Sequence, residues 1–318
     1  MWKRKRKIIQ WLAKLGVSAL FVYVANRSLE RHDFGIIAGS MHLFPLLAVV
    51  VLAVARLALQ AWRWSLILRE AEVAAKGTDV LRTLLWGHTL AFVSPARLAE
   101  VLRGLELDPS RKLDTVDAAI VDKLCIIYAT SVFGAAALLL STGDGSTGGV
   151  RFERLLTAGT ALAAVAGTYL ITRGKGTKGG KRKSGFRSQV RAISGIMPRI
   201  HSVGGRRIVG ISLFAHSLLL LQSAVLFAML GGTGLLEGIA AAAKAFALMV
   251  FFPFTVANMG IREFAFALFL GGQKGGVLAG VLRRTCLGAS LTILVVNIAL
   301  PALAGLVWEW VEGRKRAN

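Results

Sequence analysis

The chain has 318 residues, of which 55% are hydrophobic and only 18% are charged, and its mean hydropathy is +0.61. A soluble domain of this length needs more polar surface, so the composition excludes one. The net charge of +22 would suit nucleic-acid binding, but no recognition module accompanies it, and we expect no nucleic-acid partner. Continuous apolar runs, rather than alternating ones, predict an all-α, polytopic helical bundle in a membrane.

Taken in chain order, the apolar runs predict six full membrane spans and two interrupted segments. The spans cover about 8–25, 43–68, 116–141, 154–172, 208–230 and 283–311, each close to the length that crosses a bilayer. The interrupted segments cover about 79–105 and 237–270. We predict a single domain over residues 1–318, with a first half at about 43–141, a basic linker at about 173–207 and a second half at about 208–311.

The distribution of basic residues predicts the orientation. Lys and Arg gather at Lys3–Lys7, between Arg173 and Arg207, and at Arg314–Arg316, so these segments are expected on the cytoplasmic side of a prokaryotic inner membrane. Six spans satisfy this if each interrupted segment re-enters on the side it left. Alternatively, each interrupted segment crosses as two short helices. The re-entrant arrangement would make the two halves an inverted repeat, as in many secondary transporters.

The first interruption carries charge where lipid would be expected. Ser94 and Pro95 form a helix-start signal, and Arg97, Glu100 and Arg103 follow at spacings of three, which place neighbours on one helix face. A helix N-terminus beside arginines favours an anion such as a lipid phosphate. The alternative is an interfacial helix whose arginines reach water while Glu100 pairs with them.

The second interruption repeats this pattern with other residues. Asn258 is predicted to cap a new half-helix, and Gly260 lets backbone or ligand approach closely. Arg262 and Glu263 are adjacent, so they do not face each other on a helix, and each is expected to need a partner from another helix. The alternative is a buried structural ion pair.

Two other spans contain charged residues that complement these. Arg56 lies near the middle of the second span, and Arg63 follows seven residues later between two tryptophans, a pattern typical of an interfacial anchor. Asp122 and Lys123 lie in the third span, and we predict that Asp122 pairs with Arg56. The candidates for substrate binding are polar or glycine residues at these depths: Arg56, Ser94, Arg97, Glu100, Arg103, Asp122, Lys123, Asn258, Gly260, Arg262 and Glu263.

The cysteines and histidines form no pattern typical of a cofactor or metal site, so we expect no cofactor. Cys125 and Cys286 lie within apolar runs, and the five histidines show no metal-ligand spacing. Nothing resembles a nucleotide-binding motif, so ATP hydrolysis is not expected. In the last span, Asn297 and Pro301 predict a hydrogen bond and a kink rather than a site.

Four of these segments resemble one known family. They are RLALQAWRWSLIL from Arg56, FVSPARLAEVLR from Phe92, the VDK triplet at residues 121–123, and FPFTVANMGIREFAF from Phe252. Together they resemble the flippase-like domain family, which includes the membrane region of lysylphosphatidylglycerol synthases, and the resemblance covers about residues 5–312. Four positions differ: Ala96 and Ala99 stand where the family has glycines, and Asp122-Lys123 stands where the family has a Glu-Arg pair.

The resemblance implies a transporter or flippase that moves a phospholipid or a lipid-linked headgroup through a charged cavity, and no enzymatic activity of the chain itself. Membrane lipids are the expected partners; a second copy of the chain and a lipid-modifying enzyme are the protein partners considered. Two alternatives stay open. The chain could be a non-catalytic partner of a lipid-modifying enzyme, or a membrane-embedded transferase, which would want paired carboxylates or a metal site that the sequence does not present.

Overall fold

The computed structural model describes the chain as a bundle of helices, and the described residues contain no strand. They are 39, 41–94, 98–105, 107, 111–140, 155–163, 165, 203–231, 233–251, 258, 260–271 and 279–317. The helices are α1 (Leu43–Glu70), α2 (Gly77–Val93), a 3₁₀ helix (Leu98–Gly104), α3 (Lys112–Leu140), α4 (Val203–Gly231), α5 (Leu235–Phe251), α6 (Ile261–Gly271), α7 (Ala279–Leu294), a π-helix (Val295–Ala299) and α8 (Leu300–Ala317).

Four helical stretches within this described part are long and apolar enough to cross a membrane. They are Leu43–Glu70, Lys112–Leu140, Gly205–Gly231 and Arg284–Glu312, which correspond to four of the six predicted spans. The chain is therefore an integral membrane protein of the all-α class. The span predicted at 8–25 lies outside the described residues. The linker predicted at 173–207 does so too, except for residues 203–207, which begin α4. Of the span predicted at 154–172, residues 155–163 and 165 are described, and all are helical.

The two interrupted segments have matching forms. Each begins with a helix of 17 residues, α2 or α5, and ends with a shorter one, the seven-residue 3₁₀ helix or the eleven-residue α6. At about 1.5 Å of rise per residue, a 17-residue helix is about 25 Å long, less than the roughly 30 Å of a hydrocarbon core. Neither helix is long enough to cross alone, and within the two segments helices end at Val93 and Phe251 and begin again at Leu98 and Ile261.

The last span contains a single turn of π-helix at Val295–Ala299. Pro301 follows two residues later, and it lacks the N–H that would bind the carbonyl of Asn297 in a regular α-helix. The wider turn accommodates that lost bond, so the predicted irregularity takes the form of a π-bulge, a feature frequent at functional sites.

Small residues bring the helices together. α1 packs on α4, α3 on α5, and α2 on α8. A Cβ added at Gly238 would lie 3.0 Å from the Ala224 backbone, and one at Gly305 would lie 2.7 Å from the Leu85 carbonyl oxygen. Close approach through glycine and alanine is the usual way in which membrane helices associate, because lipid supplies no hydrophobic drive between them.

Candidate functional site

A network of buried charges joins α1, the 3₁₀ helix and α3. The Nε of Arg63 donates to Asp122 Oδ1 at 2.6 Å, and the Nη2 of Arg103 donates to Asp122 Oδ2 at 2.8 Å. Only 3% of Arg63, 3% of Asp122 and 2% of Arg103 is exposed. Both oxygens of one carboxylate are thus shared between two guanidinium groups, in the short charge-assisted geometry that makes such hydrogen bonds strong.

Two further charges extend this network toward a less buried edge. The Glu100 carboxylate lies 3.5 Å from Nη1 of Arg103 and 3.3 Å from Nζ of Lys123. The Lys123 side chain is 28% exposed, against 8% for Glu100, so its ammonium is the most accessible charge of the group. These five residues, here called the charged cluster, are three cations (Arg63, Arg103, Lys123) and two carboxylates (Glu100, Asp122), an excess of one positive charge.

An aromatic ring and a glycine fix the position of Arg103. Its guanidinium carbon lies 4.0 Å from the centroid of the Trp64 ring, a cation–π geometry. The indole Nε1 of Trp64 donates to Thr83 Oγ1 at 3.1 Å, which orients the ring. On the other side, a Cβ at Gly87 would come within 2.8 Å of Arg103 Cδ, so the glycine leaves room for the arginine stem.

The 3₁₀ helix explains why Glu100 and Arg103 pair. In a 3₁₀ helix, side chains three apart eclipse one another, which is a tighter pairing than the predicted α-helical spacing. Ser94 was predicted to stand directly before this helix, but the helix begins four residues later, at Leu98. The Oγ of Ser94 accepts from the backbone N–H of Ala99, the second residue of the helix, at 3.2 Å. Arg97 and Pro95 lie outside the described residues.

The predicted pair of Arg56 and Asp122 is wrong. The carboxylate of Asp122 pairs with Arg63 and Arg103 instead, while Nη1 of Arg56 donates to Asn297 Oδ1 at 3.0 Å. The seven residues from Arg56 to Arg63 correspond to about 10 Å along the helix, so the two arginines lie at different depths and meet different partners. Arg63 is consequently a buried member of the network and not the snorkelling anchor considered from sequence.

A second, smaller cluster surrounds the start of α6. Nε of Arg262 donates to Ser290 Oγ at 2.6 Å, and the same hydroxyl donates to Glu263 Oε1. Nη2 of Arg262 lies 3.8 Å from that carboxylate oxygen. The expected partner from another helix is therefore Ser290 of α7, a neutral hydroxyl that bridges two adjacent charges. No sequence pattern pointed to Ser290.

The cap of α6 differs from the prediction. Gly260, with φ of 86°, is the residue before the helix, and its N–H donates to Glu263 Oε2 at 2.5 Å, as in one half of a capping box. Asn258, with φ of 59°, contributes its backbone carbonyl, which accepts from Arg262 N–H. Glu263 thus closes the turn that Asn258 was expected to cap.

The two clusters pack into different hydrophobic cores. Trp64 and Val121, next to the charged cluster, belong to a core with Ile67, Leu68 and Ala118. Ala265 and Ala289, next to Glu263 and Ser290, belong to a larger core built around Phe227, Phe246 and Phe266. Among the described residues, no group of three His, Cys, Asp or Glu side chains could hold a metal ion.

Arg56 belongs to a hydrogen-bonded chain that ties three helices together. Asn297 of the π-helix accepts from Arg56, and its Nδ2 donates to Gln222 Oε1 at 2.8 Å. Nε2 of Gln222, a fully buried residue, donates in turn to the carbonyl of Val49 at 3.0 Å. The predicted hydrogen bond at Asn297 is confirmed, but its partners lie 75 and 241 residues away and could not be read from the sequence.

Comparison with known proteins identifies one family to which the chain is similar. The family model described as the lysylphosphatidylglycerol synthase TM region matches residues 11–305, nearly the whole chain. A comparison with curated proteins gave no significant match.

Proposed function

We propose that this chain, which belongs to the family of the lysylphosphatidylglycerol synthase TM region, moves a phospholipid or a lipid-linked headgroup across the inner membrane of a prokaryote. The family is consistent with a role in membrane lipid chemistry. In this proposal the chain is a transporter and catalyses no covalent step, and its N- and C-termini face the cytoplasm because the basic segments do.

The observation that carries the proposal is the charged cluster. It joins the 3₁₀ helix to α1 and α3, two helices able to cross a membrane, and three of its five members are at most 3% exposed. Burying charge at membrane depth is expensive, and such groups usually mark a substrate path. With one positive charge in excess, the cluster suits an anion, and a lipid phosphate is the anion that a bilayer offers.

Each charged residue then has a distinct task. Lys123, the most exposed of the charges, binds the phosphate first, and its ion pair with Glu100 is replaced by one with the phosphate. Arg103 and Arg63, held by Asp122 and by the Trp64 ring, supply fixed positive charge behind it. The acyl chains need not enter the protein, because the exposed apolar faces of the spans already lie against lipid. Arg262 and Glu263 are assigned the matching position in the second half of the transporter.

Reconstitution tests this proposal. Purified protein in vesicles containing a headgroup-labelled fluorescent phospholipid should make the inner-leaflet label accessible to a membrane-impermeant quencher faster than in protein-free vesicles. A folded protein that leaves the label as protected as in empty vesicles contradicts transport by the chain alone. If movement then appears on adding a lipid-modifying enzyme from the same membrane, the partner role replaces the proposed one.

A further inference from the structure

A cleft of about 210 Å³ lies between α1, α2 and the π-bulged last span, away from the charged cluster. Most of its lining is aliphatic, and four polar side chains stand in it: Arg56, Gln60, His88 and Asn297. Within the described residues, the lining contains no acidic side chain. The cleft is therefore an apolar slot with a guanidinium, two amides and an imidazole in its wall.

The depth of Arg56 in its helix sets it apart from surface arginines. It follows Leu43 by 13 residues and precedes Glu70 by 14, so it lies about 20 Å of helix axis from either end of α1. The side chain of an arginine at that depth does not reach the headgroup layer of either leaflet. A charged group in the hydrocarbon region is costly unless a polar group contacts it.

The mouth of the cleft opens on the apolar outer face of the bundle. Val54 and Leu300 line it and are 61% and 51% exposed, and only 17% of the most apolar window of α1 is buried inside the protein. Aliphatic residues with this exposure on membrane-crossing helices face lipid tails. A molecule can thus enter from the side, with its apolar part still in the bilayer.

The polar wall of the cleft is held in place before any ligand arrives. Asn297 is fixed by Gln222, which is itself anchored to the carbonyl of Val49. The side-chain Oδ1 of Asn297 accepts from Nη1 of Arg56 and orients the guanidinium toward the π-bulge. Such preorganisation lowers the entropy cost of binding, because the donors need not be ordered by the ligand.

We propose that this cleft binds the phosphodiester of an anionic phospholipid at mid-membrane, with Arg56 as its cation and the acyl chains lying outward between α1 and α8. Arg56 thereby provides a station for the phosphate between the two leaflets. This inference rests on the proposed transport function, which it deepens by naming a mid-membrane binding site and a substrate class. A guanidinium suits a phosphate because its planar fork donates two parallel hydrogen bonds.

Photolabelling of the full chain in detergent micelles tests the site without requiring transport. Phosphatidylglycerol with a diazirine on one acyl chain should label peptides from α1 and α8. Unlabelled phosphatidylglycerol should compete, whereas diacylglycerol with the same chains and inorganic phosphate should not. Arg56→Gln should weaken labelling about tenfold, the loss of one charge-assisted contact, and Arg56→Lys should weaken it less. The matched control is Arg69→Gln, which removes a charge from an exposed position of the same helix.

A second variant guards against misfolding of Arg56→Gln. Ala304→Trp keeps the arginine but fills the cleft, and it should also abolish labelling. Equal competition by diacylglycerol or by inorganic phosphate overturns the inference, as does unchanged labelling of both variants. Vesicles separate this result from the wider proposal. If labelling depends on Arg56 but the protein moves no lipid, the transport proposal is refuted and the binding site stands. If the protein moves lipid normally but labelling does not depend on Arg56, the binding site is refuted and the transport proposal stands.

Discussion

The guanidinium of Arg103 lies 4.0 Å above the indole ring of Trp64. This contact places an aromatic face under a cation that is 2% exposed, where water cannot solvate it. Two carboxylates, Asp122 and Glu100, approach the same guanidinium from its edge. A buried arginine is thus compensated on its face and on its edge, and α1, the 3₁₀ helix and α3 depend on one another for that compensation.

The contribution of the Trp64 ring to stability can be measured with a conservative substitution. Trp64→Phe keeps an aromatic face but loses the indole N–H that donates to Thr83 and weakens the cation–π contact. We expect the free energy of unfolding in detergent to fall by about 1–2 kcal/mol. Trp62→Phe is the control, since Trp62 is 55% exposed, and it should change stability by less than about 0.5 kcal/mol. Equal effects of the two changes would argue against the stack.

Removing Asp122 should cost much more than removing an exposed carboxylate. Asp122→Ala leaves Arg63 and Arg103 buried without the carboxylate they share, for which we expect a loss of about 3–5 kcal/mol in the free energy of unfolding. Asp114→Ala breaks an ion pair with Arg111 whose side chains are 32% and 35% exposed, and should cost less than about 1 kcal/mol. Chemical denaturation in micelles measures both. A cost for Asp122→Ala no larger than for its control would show that the network adds little.

The hydroxyl of Ser290 should matter more than a hydroxyl that serves its own helix. Ser290→Ala removes the bridge between Arg262 and Glu263, and a loss of about 1–3 kcal/mol is expected because charged groups lose a buried partner. Ser217→Ala removes a hydroxyl that donates to the carbonyl of Phe214 near the surface and should be close to neutral. Similar midpoints of thermal denaturation for the two variants would contradict a bridging role.

Helix packing gives a prediction in which two Gly→Ala changes have opposite signs. A methyl group at Gly134 would overlap the methyl of Ala247 where α3 crosses α5, whereas a methyl at Gly210 in α4 would meet nothing within 4 Å. Gly134→Ala should therefore destabilise by about 1–3 kcal/mol. Gly210→Ala should stabilise by up to about 1 kcal/mol through helix propensity. Stabilisation by both changes would mean that α3 and α5 pack less closely than described.

Hydropathy predicted the helices well because membrane spans depend on local composition. The span predicted at 43–68 is the helix Leu43–Glu70, and the break before Leu98 falls where Ser94 and Pro95 indicated it. Side-chain partners on different helices could not be predicted in this way. Arg56 and Arg63 look alike in the sequence, since both lie in an apolar run and both could face Asp122. Their assignment depends on how α1 packs against α3 and α4, which no local pattern encodes.

The caps and bridges were missed for a related reason. Glu263 was expected to need a partner from another helix, and Ser290 on α7 is that partner, but neither its identity nor the contact with the N–H of Gly260 was predicted. Serine is common in membrane helices, and nothing in the residues around Ser290 distinguishes it. The burial of Trp64 could have been predicted. Trp62 and Trp64 are two residues apart and therefore lie on nearly opposite faces of α1, so that when one faces lipid the other faces the bundle.

The central claim is that the charged cluster serves lipid movement, and one comparison in reconstituted vesicles tests it most directly. Transbilayer movement of a headgroup-labelled anionic phospholipid is measured for the unaltered chain, for Lys123→Gln and for Arg69→Gln, all at equal protein content. Lys123→Gln removes the most exposed charge of the cluster and should slow movement about tenfold, while Arg69→Gln should match the unaltered chain. Equal rates for all three proteins, each faster than empty vesicles, would contradict the account.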